Sequence, residues 1–137
     1  MSDDKQDLKG KKVFIVEDDV FFANMISDKV IREGGVLIHA PTGEEAVAMV
    51  PQNVPDIVVL DLLLPGKIDG FKVLEILKAD PALKDIPVII VSNLSQPEDI
   101  DRGMRLGAFH YLVKASVTPA EIIEQLANTL KSGVRMS

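Results

Sequence analysis

Short apolar runs broken off by polar residues constrain this chain more than any other feature. They are Val13–Val16, Ile57–Leu60 and Val88–Val91, with Val36–Ala40 and Phe109–Val113 as two further runs that each take in one histidine. A strand with one wet face alternates apolar and polar residues, whereas an unbroken apolar run fits a strand covered on both faces. Between the runs the pattern changes to helical spacing. Phe22, Met25, Ile26 and Val30 recur on one face, as do Ala46, Val47 and Val50, then Val73, Leu74 and Leu77, then Ile122, Ile123, Leu126 and Leu130.

The punctuation agrees with that division. Asp19 suits a helix N-cap, and Thr42 with Glu45 and Thr118 with Glu121 have capping-box spacing. Pro97 and Pro119 fit first helical turns, while Gly34-Gly35, Asp80-Pro81 and Gly107 mark ends. The pattern predicts a strand followed by a helix, repeated to the end of the chain. Crossovers of this length join parallel strands and place helices on both faces of the sheet. One domain is expected over residues 11–131, with flexible tails at 1–10 and 132–137.

Composition narrows the chemistry. The chain has no cysteine, which excludes disulfides, thiolate catalysis and cysteine-held metals. Its 2 histidines, His39 and His110, cannot make a multi-histidine site, so a metal must be held mainly by oxygen, as Mg²⁺, Mn²⁺ and Ca²⁺ are. A net charge of −6 disfavours binding of nucleic acid through its phosphates. No apolar run approaches the roughly 20 residues that cross a bilayer, and the first residues lack the apolar core of a leader. The expected place is the cytoplasm, with no membrane partner.

The polar groups that end the runs share a location. Glu17 and Asp18 follow the first run, Asp61 the third, Ser92 and Asn93 the fourth, and Lys114 the fifth. In an open parallel sheet, ligands bind beyond the carboxyl ends of the strands. Three carboxylates gathered there repel one another unless a cation intervenes, and a hard divalent ion with oxygen ligands relieves the repulsion. A lysine and a hydroxyl can then hold an anion. Singly, each residue has a plainer reading: Asp61 a turn or cap, Lys114 a solvated surface lysine, Ser92 and Asn93 the start of a loop, Tyr111 a half-buried strand aromatic.

Taken in order, the segments Val-Phe-Ile-Val-Glu-Asp-Asp (13–19), Asp-Ile-Val-Val-Leu-Asp-Leu-Leu-Leu-Pro-Gly (56–66), Ile-Asp-Gly (68–70), Val-Ile-Ile-Val-Ser-Asn (88–93), Gly-Ala (107–108) and Tyr-Leu-Val-Lys (111–114) resemble the receiver domains of two-component response regulators, over about residues 11–131. The resemblance implies a flavodoxin-like α/β fold: a doubly wound parallel sheet of five strands in the order 2-1-3-4-5. It implies that Asp61 is a phosphoacceptor, with Mg²⁺ held by Asp18, Asp61 and the carbonyl of Leu63, and by Glu17 through water. Lys114 would pair with Asp61 and then with the phosphoryl oxygens, Ser92 and the backbone of Asn93 would hydrogen-bond the phosphoryl group, and Tyr111 would act with Ser92 as a switch.

The implied partners are a sensor histidine kinase or histidine phosphotransfer protein and a downstream protein target. The chain is expected to act as a monomer or weak dimer, without an attached output domain and not as an enzyme in its own right. Three departures from the family pattern stand out. Ala115 occupies the place usually held by proline, the Pro65–Gly70 loop is one residue longer than the common spacing, and Asn93 stands where a smaller residue is common. Rival readings are a receiver-like interaction module that is not phosphorylated, a small Mg²⁺ phosphohydrolase, and a flavin-binding protein. Leu63, two residues past Asp61, disfavours the hydrolase, and the acids after the first strand disfavour the flavin protein.

Overall fold

In a computed structural model, which describes residues 6–132, the apolar runs are strands and the amphipathic stretches are helices. In chain order these are β1 (Lys12–Val16), α1 (Val20–Arg32), β2 (Val36–Ala40), α2 (Gly43–Asn53), β3 (Ile57–Leu60), α3 (Gly70–Ala79), β4 (Val88–Ser92), α4 (Pro97–Arg105), β5 (His110–Val113), a 3₁₀ turn (Lys114–Ser116) and α5 (Pro119–Lys131). The sheet is parallel throughout and ordered β2-β1-β3-β4-β5, as expected.

Alternation along each strand divides the core into two layers. Phe14, Val16, Val58, Leu60, Val88 and Ile90 face one side, where Ala46 and Val50 of α2 and Val73, Leu74 and Leu77 of α3 cover them. Val13, Ile15, Ile57, Val59, Ile89 and Val91 face the other, against Ala23, Ile26 and Val30 of α1 and Ile122 and Leu126 of α5. Each fully buried Leu, Ile or Val contributes about 1.5–3 kcal/mol relative to exposure. A slip of one residue in any central strand would exchange the two layers, so packing fixes the register and with it the residue that ends each strand.

The helix starts follow their caps. Asp19, Thr42, Asp69 and Thr118 each accept a hydrogen bond from a backbone N–H in the first turn of α1, α2, α3 and α5. The reciprocal capping box forms at Thr118 and Glu121, whereas at Thr42 the described bond is the one from the Glu45 N–H to the hydroxyl. Glu44, beside it, instead accepts from the N–H of Lys67 at 3.0 Å. That bond, first among the causes, holds the Glu44 carboxyl below its ordinary range. It also pins the loop after β3 onto α2, next to Gly66, whose φ of +90° suits glycine.

Two details differ from the sequence reading. Residues 7–10, expected in a flexible tail, form a turn that places Leu8 fully in the core, with the Leu8 N–H donating to the Glu33 carbonyl at 3.0 Å. The remaining residues assigned to the tails, 1–5 and 133–137, lie outside the described residues. The fifth strand begins at His110, not Phe109.

Candidate functional site

The register brings the polar strand ends to one edge. Val16 pairs with Leu60 and Leu60 with Ile90, so the chain steps off β1 and β3 side by side at Glu17 and Asp61, one residue before β4 ends at Ser92. Ser92 pairs with Val113, which delivers Lys114 to the same edge. Carboxylate oxygens of Glu17, Asp18 and Asp61 all lie within 4.8 Å of one another. Glu17 and Asp61 are 2% and 4% exposed, and Asp18 is open to solvent.

Lys114 closes the pocket. Its Nζ donates to Glu17 Oε1 at 2.8 Å and to Asp61 Oδ2 at 3.0 Å. It also stands 4.5 Å from the centre of the Phe22 ring, a cation–π contact that fixes the ammonium from the α1 side. Burial works against its charge, but the hydrogen bonds to Glu17 and Asp61 outweigh burial and hold its pKa above the ordinary lysine value. Burial likewise pushes the Glu17 carboxyl up to about 7, with the Asp61 charge acting the same way and the bonds from Lys114 and the Asp19 N–H acting against it. Three carboxylates facing one ammonium leave an excess of negative charge.

That excess and the donor set fit a hard divalent cation. All ligand atoms on offer are oxygens, and the pocket is open on the Asp18 side. Opposite ligands of an octahedral Mg²⁺ lie about 4.2 Å apart, so three carboxylate oxygens within 4.8 Å of one another are near the spacing that one such ion needs.

Around this centre, Asp61 Oδ1 accepts from the Leu63 N–H at 3.1 Å. Ser92 is fully buried at the end of β4, where its hydroxyl faces the Leu94 N–H at 3.4 Å. Tyr111 reaches across from β5 and donates its hydroxyl to the Leu94 carbonyl at 2.6 Å. Burial, with the charges of Asp99 and Asp61, raises its pKa to about 12, so the phenol remains a donor at neutral pH. Thus all the residues singled out from the sequence gather at one edge, with Leu63 51% exposed at its rim.

Three contacts were not anticipated. Phe22 faces Lys114. His39, from β2, bonds through Nε2 to the Glu17 carbonyl at 2.7 Å, and since a carbonyl only accepts, that nitrogen carries the proton. The Asn93 side chain turns toward the chain after β5, where its Oδ1 accepts from the Ala115 N–H at 3.0 Å. A histidine in an otherwise apolar strand was the one available signal; the other two contacts join residues far apart in sequence.

Fold and pocket together define a doubly wound α/β protein with a cation-ready acidic site at the carboxyl ends of its central strands. The chain belongs to the response regulator receiver domain family, whose sequence model matches residues 13–127. Members are signalling modules that accept a phosphoryl group in two-component systems. Among curated relatives, the gliding motility regulatory protein of Myxococcus xanthus is 37% identical over 122 residues, covering 89% of this chain and 15% of that protein. The DNA-binding dual master transcriptional regulator RpaA of a Synechocystis strain is 34% identical, covering 85% and 46%. This chain thus spans less than half the length of either. The solved phosphorylated cyanobacterial phytochrome response regulator RcpA is 30% identical with a TM-score of 0.79, covering 93% of this chain and 99% of that one. The receiver domain of the Francisella response regulator 1452 is 31% identical with a TM-score of 0.78, covering 88% and 96%.

Proposed function

We propose that Asp61 of this chain accepts a phosphoryl group from a histidine of a sensor kinase or phosphotransfer protein, and that the phosphorylated form acts on a downstream protein. The observation that carries the reading is a buried carboxylate 3.0 Å from the Lys114 ammonium and grouped with two further acids. An Asp61 oxygen attacks phosphorus, the phosphorus–nitrogen bond breaks, and the imidazole leaves. Such transfers depend on placement and charge neutralisation more than on covalent help from the protein. Lys114 meets the developing charge on the phosphoryl oxygens, and Ser92 with the Asn93 N–H supplies hydrogen bonds. Glu17, Asp18, Asp61 and the Leu63 carbonyl would hold Mg²⁺, which supplies further positive charge to those oxygens when bound.

The doubly charged product changes what Ser92 and Lys114 face. Tyr111 is tied to Leu94, two residues past Ser92, so movement of Ser92 toward the phosphoryl group pulls on the loop that holds the phenol. Output through α4, β5 and α5 then needs only protein contact. Val20 and Phe21 open α1 beside the pocket at 59% and 87% exposure, an apolar surface suited to a protein donor. RpaA is by its name a DNA-binding regulator, but at twice the matched length that activity need not lie in the matched part; the net charge of −6 here favours a protein target over nucleic acid.

The test is incubation with Mg²⁺ and phosphoramidate, followed by intact-protein mass measurement. One added, acid-labile phosphoryl group is expected. No adduct under conditions that label an established receiver would favour an interaction module that is never phosphorylated.

The lifetime of the adduct offers a second prediction. Leu63 and Leu94 lie two residues past Asp61 and Ser92, and an apolar pair there hinders an attacking water. Replacing both with polar residues is expected to speed dephosphorylation several-fold. An unchanged decay of the phosphorylated protein would remove the pair from the explanation.

A further inference from the structure

We infer that the Asn93 side chain is a positioning residue for Lys114, through a hydrogen bond that exists because residue 115 is alanine. This rests on the phosphoacceptor reading of the site. The Lys114–Ala115 peptide is trans, since the described chain contains no cis bond. Alanine at 115 brings a backbone N–H that proline lacks, and Asn93 Oδ1 accepts from it at 3.0 Å. Two departures from the family pattern, an amide at 93 and a non-proline at 115, are therefore the two halves of one contact.

The contact sits where it can matter. Asn93 follows Ser92 directly, and Ala115 follows Lys114 in the 3₁₀ turn that ends β5. The ammonium of Lys114 is fixed by Glu17, Asp61 and the Phe22 ring. Those contacts hold the tip of a long, flexible side chain, and its backbone must be held separately. Asn93 does so from the neighbouring loop. Together with the Tyr111–Leu94 bond, it ties the loop after β4 to β5 and its exit at two points, 2.6 and 3.0 Å long. Lys114 is thereby held in place beside the loop of Ser92 before a phosphoryl group arrives, which positions the ammonium for the group that Ser92 then moves to meet.

The experiment compares wild type, Asn93→Ala, Ala115→Pro and the double variant. Two quantities are read: the phosphorylation rate with phosphoramidate at saturating Mg²⁺, and, where residue 115 keeps its N–H, amide exchange at Ala115. Asn93→Ala is expected to slow phosphorylation about fivefold and to speed Ala115 exchange by a similar factor, the scale of one ordinary hydrogen bond. The Mg²⁺ affinity, set by the carboxylates, should stay within about twofold of wild type. The double variant should react no more slowly than Ala115→Pro alone, because the first change has already removed the donor. Additive losses, or an unchanged rate and exchange in Asn93→Ala, would overturn the inference while leaving Asp61 as acceptor. A wild-type protein that takes no label at all would overturn both, whereas loss of the contact's effect in a labelled protein sinks the contact alone.

Discussion

Asp61→Asn is expected to abolish phosphorylation, a loss on the order of 10³-fold or more, while the fold survives. The two side chains have nearly the same shape, so the buried site can accept the change without a cavity. The amide oxygen can still accept from Leu63, as Asp61 Oδ1 does at 3.1 Å. The amide nitrogen then faces Lys114, where Oδ2 now accepts at 3.0 Å, and one donor confronts another. Against that stands relief of repulsion, because Asp61 is one of three carboxylates within 4.8 Å. The opposed effects keep the expected stability change within about 1 kcal/mol, but the nucleophile is gone and the cation has lost a ligand. Intact mass after phosphoramidate, urea unfolding and Mg²⁺ titration separate these consequences. A stable variant that still takes a stoichiometric label would move the acceptor elsewhere, with Asp18 the first residue to map.

The fold was legible in the sequence because four of the five strands announce themselves twice, by an apolar run and by the polar residue that stops it, while β2 runs into Pro41. Val16 before Glu17, Leu60 before Asp61 and Val113 before Lys114 set the ends, and the parallel order places those ends on one edge. What escaped the reading are contacts without periodicity. Leu8 is one apolar residue in a polar lead, yet its N–H bond to the Glu33 carbonyl carries it into the core. Lys78 looks like an exposed helix residue, but its ammonium donates to the carbonyls of Lys84 and Ile86, both at 2.9 Å, and clasps the turn into β4. Glu44 holding the Lys67 N–H and Asn93 holding that of Ala115 are bonds of the same kind. Each ties a side chain to a backbone group outside its own element, Lys78 as donor and Glu44 and Asn93 as acceptors, and the residue type alone does not say which group. The site was legible in its charges and illegible in its scaffolding.

The tightest part of that scaffolding lies under the acceptor itself, and Gly70→Ala is expected to break it. Gly70 opens α3, is buried, and donates its N–H to the Leu62 carbonyl at 3.1 Å. A Cβ built there would collide with the carbonyl oxygen of Asp61 and stand 2.5 Å from Leu62 Cα. Both obstacles are backbone atoms, so no rotamer change relieves them. Glycine to alanine in a helix ordinarily stabilises by about 0.5–1 kcal/mol; here the overlap reverses the sign, and a loss of about 3 kcal/mol is expected, at the upper end for overpacking. In a protein of this size that lowers the melting temperature by about 10 °C. Either α3 moves outward or the Asp61 peptide does, so the fraction of variant that stays folded should also label more slowly than wild type. Gly10→Ala is the comparison: its φ of +73° opposes alanine, as that of Gly70 does not, but nothing lies within 4 Å of the new carbon. It should lose only about 1 kcal/mol and keep its labelling rate. A loss at Gly70 no larger than that at Gly10 would show that the seat of α3 against Asp61 gives way to the new carbon and is not what the glycine serves.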